Sequence, residues 1–137
     1  MNDSKKRLVF TLGDATLELN HALTATSVEY ELMLHGQHLH QVVRFTEHQD
    51  NLSSPSCGVY VVTEDGLPVY VGSYDTSFSK RWIYPRRRMI YHHKRDKIIS
   101  SLLRASCIEV WSHKTECNCV SSLELALIKA LRPSWNS

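Results

Sequence analysis

The chain has 137 residues, of which 42% are hydrophobic and 22% are charged, and its formal net charge is +2. This size and composition suit one compact globular domain with a modest core, or a small domain with an extension. No apolar run is long enough to cross a bilayer, and the initial residues MNDSKKR lack the apolar stretch of a signal peptide, so we expect a soluble, cytoplasmic protein.

The N-terminal part of the chain is predicted to be rich in β-strand. Residues 20–27 are looser, but apolar and polar residues alternate before and after them, which predicts short strands at residues 8–12, 15–19, 28–34 and 37–45. We treat residues 1–54 as a β-rich extension whose role the sequence does not disclose. His35, His38 and His40 lie close together there, but no acidic or thiol partner accompanies them, so we expect no metal site.

A β-hairpin is predicted directly after a loop at residues 47–56. Its two strands carry Gly58-Val59-Tyr60 and Tyr70-Val71-Gly72, and Asp65-Gly66 lies between them. Valine and tyrosine are good strand formers, and Gly66 can adopt the positive φ that a tight turn needs. Each strand therefore supplies one tyrosine, and strand pairing can bring the two together.

Basic residues are concentrated in the second part of the chain. Residues 1–56 contain four basic and seven acidic residues, whereas residues 57–137 contain twelve basic and seven acidic ones. Half of all the basic residues fall within residues 80–97: Lys80, Arg81, Arg86, Arg87, Arg88, Lys94, Arg95 and Lys97. A charge run is usually a solvated face, but aromatic residues are interleaved in this one and it adjoins the hairpin. We therefore predict that it contacts nucleic acid.

The remaining elements are helices and one further strand. Asp75, Thr76 and Ser77 are candidate caps for a first helix. Apolar spacing predicts a second helix from about residue 87 or 89 to 104, a strand at 108–111, a polar loop at 113–120 and a last helix at 123–131. These elements predict an α/β (α+β) fold: a small, mainly antiparallel, three-stranded sheet flanked by helices, with the β-rich extension in front of it.

The four cysteines are Cys57, Cys107, Cys117 and Cys119. Nothing in the sequence signals export, so we expect buried free thiols rather than disulfides. Three of these cysteines form a local cluster with His113, which raises the alternative of structural zinc, but the Cys-x-Cys spacing is not that of a usual zinc knuckle.

The hairpin and the last helix together resemble the GIY-YIG nuclease family. The two tyrosine triplets correspond to the family's motifs, with valine in place of both isoleucines, and Arg81 follows the second triplet. Further motif residues occur near the C-terminus in the family's order: Glu124, Leu127, Ile128, Pro133 and Asn136. The resemblance covers about the last 80 residues, so residues 55–137 are expected to form a nuclease-like domain.

The resemblance implies a metal-dependent DNA endonuclease that leaves 5′-phosphate and 3′-hydroxyl ends. It implies that Glu124 binds one divalent cation, Mg²⁺ or Mn²⁺, that Tyr60 is the general base and that Tyr70 orients water or phosphate. Arg81 would bind a phosphate oxygen with its planar donor fork. Because the pKa of a free tyrosine is about 10, His92 and His93 are added as candidates for a proton relay. DNA contacts are expected at Lys80, Arg86, Arg87, Arg88, His93, Lys94 and Asn136.

Some of these residues also fit purely structural roles or depart from the family pattern. Glu124 follows Ser121 at the spacing of a helix capping box. Arg81 lies about one residue further from the second triplet than is usual in the family, so Lys80 could exchange roles with it. Pro85 stands where many family members have tyrosine or histidine.

Two other functions stay open from the sequence: a catalytically inactive DNA-binding module with the same fold, and a zinc-stabilised interaction protein. Neither accounts for the occurrence of both tyrosines, Arg81 and Glu124 in one order. We also consider a homodimer, because a single active centre cuts one strand at a time.

Overall fold

The computed structural model describes residues 6–32, 39–84 and 89–136. The predicted DNA contacts Arg86, Arg87 and Arg88 and the histidines His35 and His38 lie outside these ranges. The strands of the described residues are β1 Arg7–Leu12, β2 Ala15–Leu32, β3 Leu39–Glu47, β4 Cys57–Glu64, β5 Leu67–Tyr74, β6 Ile83–Tyr84, β7 Met89–Ile90 and β8 Ile108–Thr115. The helices are α1 Phe78–Trp82, α2 Arg95–Leu103 and α3 Val120–Leu131, and short 3₁₀ turns occur at Cys117–Cys119 and Ser134–Asn136.

Two tight turns join neighbouring strands where the sequence predicts them. β1 and β2 pair on either side of Gly13, whose φ is +62°. β4 and β5 pair on either side of Asp65 and Gly66, whose φ values are +51° and +85°. Two successive positive φ values are typical of a type I′ turn, whose twist matches that of the paired strands. The predicted hairpin is confirmed, with Tyr60 on β4 and Tyr70 on β5, and β5 also carries Tyr74.

The strands form one large antiparallel sheet, and the prediction of a small three-stranded sheet is wrong. The order is β1-β2-β8-β4-β5, and β3 also pairs with β2, which makes six strands. β6 and β7 form a separate two-stranded sheet. The N-terminal strands belong to the same sheet as the tyrosine hairpin because β2 pairs with β8 along residues 20–25.

β2 shows why the sequence did not reveal this sheet. The strand runs without a break through the stretch that lacks alternation. His21, Ala22 and Leu23 are all buried there, and the register with β8 shifts between His21 and Leu23, which marks a bulge. A central strand that is covered on both faces and contains a bulge does not alternate in polarity.

Each face of the sheet has its own hydrophobic core, because side chains alternate along β4. Tyr60 and Val62 belong to the core that also contains the buried residues of α1 and α2. Val59 and Val61 belong to the core that contains the buried residues of α3. The two tyrosine triplets thus lie in a sheet that is supported by helices on both sides.

The helices agree with the predictions in number, but α2 and α3 begin at other residues than predicted. The Ser77 side chain accepts a hydrogen bond from the Lys80 backbone N–H at 3.0 Å, which confirms Ser77 as the cap of α1. α2 begins later than predicted, because residues that were expected to open it pair with β6 and form β7. β8 is longer than predicted, and α3 begins earlier, at Val120.

A disulfide bond joins Cys57 at the start of β4 to Cys117 in the turn before α3, with 5.1 Å between the Cα atoms. Cys107 and Cys119 are free and exposed. The prediction of buried free thiols is therefore wrong, because the sheet and α3 bring together two cysteines that are 60 residues apart in sequence. The zinc alternative loses support, since the bond to Cys57 engages one of the proposed ligands.

Candidate functional site

The two glycines of the tyrosine triplets make room for aromatic rings. Gly72 pairs with Tyr60 across the hairpin, and a Cβ atom at Gly72 would overlap the Tyr60 phenol ring, with the Tyr60 Cε1 atom 2.9 Å away. Gly58 pairs with Tyr74, and a Cβ atom there would overlap the Tyr74 hydroxyl and the His113 carbonyl oxygen. Each glycine therefore lets a tyrosine ring lie directly across the paired strand, which positions Tyr60 and Tyr74.

Tyr60 is held in an aromatic environment. Its side chain is fully buried, and its ring contacts Trp82 edge-to-face with 5.1 Å between the centroids. The Tyr70 ring lies 6.1 Å from the Tyr60 ring. The Tyr60 hydroxyl is 2.6 Å from His92 Nε2, and the Tyr70 hydroxyl is 2.9 Å from His93 Nε2. The hairpin and the two histidines thus form a compact phenol and imidazole cluster.

The hydrogen bonds of His92 define its tautomer. The Lys94 backbone N–H donates to His92 Nδ1 at 3.0 Å, so Nδ1 is the unprotonated nitrogen. Burial lowers the pKa of His92 from 6.5 to about 3, and the charges of His93, Arg81 and Lys94 act in the same direction. His92 is therefore neutral near pH 7 and donates its Nε2–H to the Tyr60 oxygen. This bond stabilises a phenolate at Tyr60, but His92 Nε2 cannot accept the Tyr60 proton, as a relay would require.

Both tyrosines are neutral phenols at neutral pH. Burial raises the pKa of Tyr60 far above its ordinary value, Tyr70 and Glu124 act in the same direction, and Arg81 opposes them. Burial also raises the pKa of Tyr70, where Glu124 and Arg81 again act in opposite directions. A phenol in this site becomes a base only if further positive charge is placed beside it.

Glu124 and Arg81 are joined by one residue that the sequence did not single out. The Ser73 hydroxyl donates to Glu124 Oε1 at 3.0 Å, and Arg81 Nε donates to the Ser73 carbonyl oxygen at 3.1 Å. Ser73 follows Gly72 directly at the end of the motif strand, and that position is the one signal that could have identified it. The Arg81 side chain remains exposed, as binding of a phosphate requires.

The structure excludes the capping-box role considered for Glu124. α3 begins at Val120, so Ser121 already lies inside the helix and cannot form a capping box with Glu124. The Glu124 carboxylate instead contacts Ser73 on β5 and is half-buried between the helix and the sheet. It faces the tyrosine hairpin, which agrees with its effect on the pKa of both tyrosines.

Asn136 has a structural role in the described contacts. Its Oδ1 atom accepts from the Val71 backbone N–H and its Nδ2 atom donates to the Val71 carbonyl oxygen, both at 2.9 Å. β5 is at the end of the sheet, and this amide pairs with its backbone as a further strand would. These two hydrogen bonds account for the presence of asparagine at this position of the C-terminal motif without a contact to DNA.

A groove of about 740 Å³ adjoins the candidate site, and Arg81 lines it, whereas Tyr60, Tyr70 and Glu124 do not. Its lining residues come from the end of β5, from α1, from the segment after β7 and from the start of α3, and they include Ser73, Lys80, Arg81, Tyr91, His92 and His93. Lys94 lies beside it, with its Nζ atom 5.3 Å from the centre of the Tyr70 ring. Of the predicted DNA contacts, Lys80, His93 and Lys94 therefore surround the site.

The donor set of this site suits a hard divalent cation. Glu124 supplies one carboxylate, and within residues 6–32, 39–84 and 89–136 no group of three or more His, Cys, Asp or Glu side chains is placed to hold a metal ion. Zinc sites usually have three or four such ligands. Mg²⁺ and Mn²⁺ accept one or two carboxylates and complete their coordination with water and substrate phosphate, so Glu124 fits the ion that the family resemblance implies.

A larger cavity, of about 1080 Å³, lies elsewhere and contains a histidine cluster. His21 is stacked between His48 and Trp111, and His21 Nε2 lies 2.9 Å from a Glu109 carboxylate oxygen. The Thr24 hydroxyl contacts both histidines. The polar atoms of these groups are thus hydrogen-bonded to one another. None of Tyr60, Tyr70, Arg81 and Glu124 lines this cavity.

Lowering the pH is expected to destabilise the fold through His92. The unfolded chain takes up a proton near pH 6.5, whereas folded His92 stays neutral down to about pH 3, so the unfolded state binds more protons between these values. The contribution of His92 to the free energy of unfolding is fully present above pH 6.5. As the pH is lowered from there, this contribution falls by about 1.4 kcal/mol per pH unit. Urea unfolding at a series of pH values measures the slope.

His92→Phe provides the reference for this measurement, because a phenyl ring preserves the stacking on Trp82, where the ring centroids are 4.0 Å apart. The difference between the native and variant slopes isolates His92 from the carboxylates that also titrate at low pH. Equal slopes below pH 6.5 would contradict the low pKa of His92.

Comparisons of the chain with protein-family models, with curated proteins and with solved structures find no match. Among the described residues, no helix is long and apolar enough to cross a membrane.

Proposed function

We propose that this protein is a metal-dependent DNA endonuclease of the GIY-YIG type. One observation carries the proposal: four residues from four different elements, β4, β5, α1 and α3, come together, and they are Tyr60, Tyr70, Arg81 and Glu124. Arg81 and Glu124 both contact Ser73, and the charges of both affect the pKa of Tyr60. The resemblance to the family's motifs links these residues only by their order in the sequence. Their convergence beside a groove that contains further cations supports a shared role in phosphodiester hydrolysis.

Binding of the substrate relies on positive charge at the groove. Arg81 contacts a phosphate oxygen through its exposed guanidinium, while its Nε bond to Ser73 fixes the direction of the side chain. Lys80 and Lys94 add cationic charge on either side and attract the DNA backbone. Glu124 would hold one Mg²⁺ or Mn²⁺, which would neutralise part of the charge that builds on the phosphoryl oxygens.

The two tyrosines act as a coupled pair in proton transfer. The sequence assigned the general base to Tyr60, but Tyr60 is fully buried, whereas Tyr70 is half-buried. We therefore assign contact with the attacking water to Tyr70. Both phenols are protonated in the protein alone, and the positive charge of a bound cation beside Arg81 would favour the loss of one proton from the pair to solvent. The pair then accepts a proton from the attacking water through the Tyr70 oxygen. The resulting hydroxide attacks phosphorus, the bond from phosphorus to the 3′ oxygen breaks, and the leaving 3′ oxygen takes a proton from solvent, so the products have 5′-phosphate and 3′-hydroxyl ends.

His92 supports the deprotonated pair without titrating. Its Nε2–H donates to the Tyr60 oxygen at 2.6 Å and favours the phenolate form of that residue. His93 lies 2.9 Å from the Tyr70 hydroxyl, and burial and the charges of Arg81 and Lys94 lower its pKa, so it is neutral as well. Two neutral imidazoles thus orient the two phenol groups.

A DNA-binding module without cleavage is the second candidate function. The specific observation in its favour is the raised pKa of both tyrosines, since neither is a base in the protein alone. Such a module would use the same cationic groove, so DNA binding by itself does not distinguish the two functions.

The two functions are distinguished by incubation of supercoiled plasmid with the protein and Mg²⁺. We expect nicked circles to form first, because one centre cuts one strand at a time, and we expect a chelator to stop the reaction and fresh Mg²⁺ to restore it. Binding that weakens with salt but gives no nicking with Mg²⁺ or Mn²⁺ would reject the endonuclease and leave the binding module.

A further inference from the structure

Tyr84 at the end of β6 and Tyr91, which directly follows β7, point away from the core. Tyr84 and Tyr91 are 40% and 61% exposed, and their ring centroids are 6.1 Å apart. The neighbouring Ile83 and Ile90 pair with each other and are buried, so the β6–β7 hairpin is anchored through its inner side chains. The Tyr91 backbone N–H also donates to the Trp82 carbonyl oxygen at 2.8 Å. The exposed rings are thus carried on a backbone that is fixed to the core.

Tyr91 lies in the groove of the candidate site. It lines this groove together with Arg81 and Lys80. It also directly precedes His92 and His93, whose Nε2 atoms lie within hydrogen-bond distance of the hydroxyls of the two tyrosines on β4 and β5. Arg81 and Lys94 both lower the pKa of His93, which shows that their positive charge reaches this segment. A flat exposed ring is therefore placed beside the cations that would contact DNA phosphates.

An exposed tyrosine is by itself ordinary. Tyr30, for example, is 62% exposed, but it lies on the β2–β3 ribbon and its hydroxyl accepts a hydrogen bond from Gln41 Nε2. The position of Tyr91 differs, since cations on one side and an open aromatic face on the other match the two parts of a nucleotide, the phosphate and the base.

We propose that Tyr91 is a stacking platform for an unpaired base of the DNA strand whose phosphate contacts Arg81, with Tyr84 flanking it. In a duplex the neighbouring base pairs cover both faces of each base, so a ring at this place gains contact only with a base that is single-stranded, mismatched or displaced. The proposal rests on the proposed function for its ligand, and it narrows that ligand to DNA with an unpaired nucleotide at the groove.

The test measures binding without cleavage, in buffer with a chelator. Fluorescence anisotropy follows a short labelled single-stranded oligonucleotide and the same strand annealed to its complement. Tyr91→Ala is expected to weaken binding of the single strand about 10-fold and to leave duplex binding within about twofold. Tyr91→Phe retains the ring and should bind the single strand like the native protein. Tyr30→Ala is the matched control and should change neither affinity.

Duplex binding also reports whether Tyr91→Ala is folded, because the duplex needs the same cationic groove. An unchanged affinity for the single strand would overturn the proposal, and so would an equal loss for both DNA forms. A failure of the endonuclease itself appears separately, as absence of plasmid nicking with Mg²⁺, since the binding assay needs neither metal nor cleavage. Absence of binding to both DNA forms by the native protein would overturn both proposals.

Discussion

Glu124→Gln is expected to lower the rate of plasmid cleavage by at least about 10²-fold, because the bound ion supplies several kcal/mol of charge stabilisation in phosphoryl transfer. Glutamine keeps an oxygen that can accept the Ser73 hydrogen bond, so α3 should remain docked on β5. It lacks the negative charge that attracts a divalent cation. Initial rates of nicking at saturating Mg²⁺ measure the effect, and DNA binding in chelator should be preserved.

Glu116→Gln is the matched control for this variant. Glu116 is an exposed carboxylate that precedes the short turn at Cys117–Cys119, and its replacement removes the same charge from a position outside the site. The control should retain the native cleavage rate. A Glu124→Gln protein that nicks plasmid at the native rate would exclude Glu124 as the metal ligand and remove the basis of the proposed mechanism.

Reduction of the bond between Cys57 and Cys117 is expected to lower the free energy of unfolding by about 4 kcal/mol. The disulfide closes a loop with a sequence separation of 60 residues, and in the chain-entropy description a longer closed loop restricts the unfolded chain more strongly. The closed loop contains β4, β5, α1, α2 and β8, so most of the candidate site lies within it. Urea unfolding with and without dithiothreitol measures the loss.

Two cysteine variants serve as controls for the reduction. Cys117→Ser should have the stability of the reduced protein and should not respond to dithiothreitol, whereas Cys119→Ser, which changes an exposed free thiol, should behave like the native protein. A thiol count under denaturing, non-reducing conditions should give two free thiols for the native chain. Four free thiols, or a midpoint that dithiothreitol does not shift, would contradict the bond.

The same bond matters for the conditions in which the protein works. Thioredoxin and glutathione keep most cytosolic thiols reduced, so in the cytoplasm, where the sequence predicts the chain to lie, Cys57 and Cys117 would persist as thiols. Reduced protein would lack the covalent link between the start of β4 and the turn that precedes α3. Cleavage assays should therefore be run in both redox states.

Local signals predicted the parts of the site that depend on neighbouring residues. The positive φ of Gly66, the alternation along β4 and β5, and the cap at Ser77 follow from short-range sterics and hydrogen bonding, and the structure has all three, whereas the positive φ of Asp65 was not predicted. The two triplet glycines are different, because the tyrosine whose ring each accommodates lies on the paired strand and is identified only by the register of β4 and β5.

Interactions between distant segments were not accessible in this way. The disulfide, the Ser73 link between Glu124 and Arg81, and the engagement of Asn136 with Val71 each join groups far apart in the chain. The tautomer of His92 depends on a nearer partner, the backbone N–H of Lys94 two residues along the chain, but residue type does not reveal that this N–H donates to the ring. Residue type and spacing do not identify the partner of a given group, because the chain contains many other groups of the same chemistry that could form the same contact.

The amino-acid order alone specified the tyrosine hairpin, the identity of the chemical groups and the basic character of the segment after it, since these depend on residue type and on periods of a few residues. The size of the sheet, the burial of Tyr60 relative to Tyr70 and the assembly of one groove depended on long-range packing. β2 illustrates the reason: its central residues are buried on both faces and bulged, so their pattern carries no strand signal until β8 and β3 lie beside them.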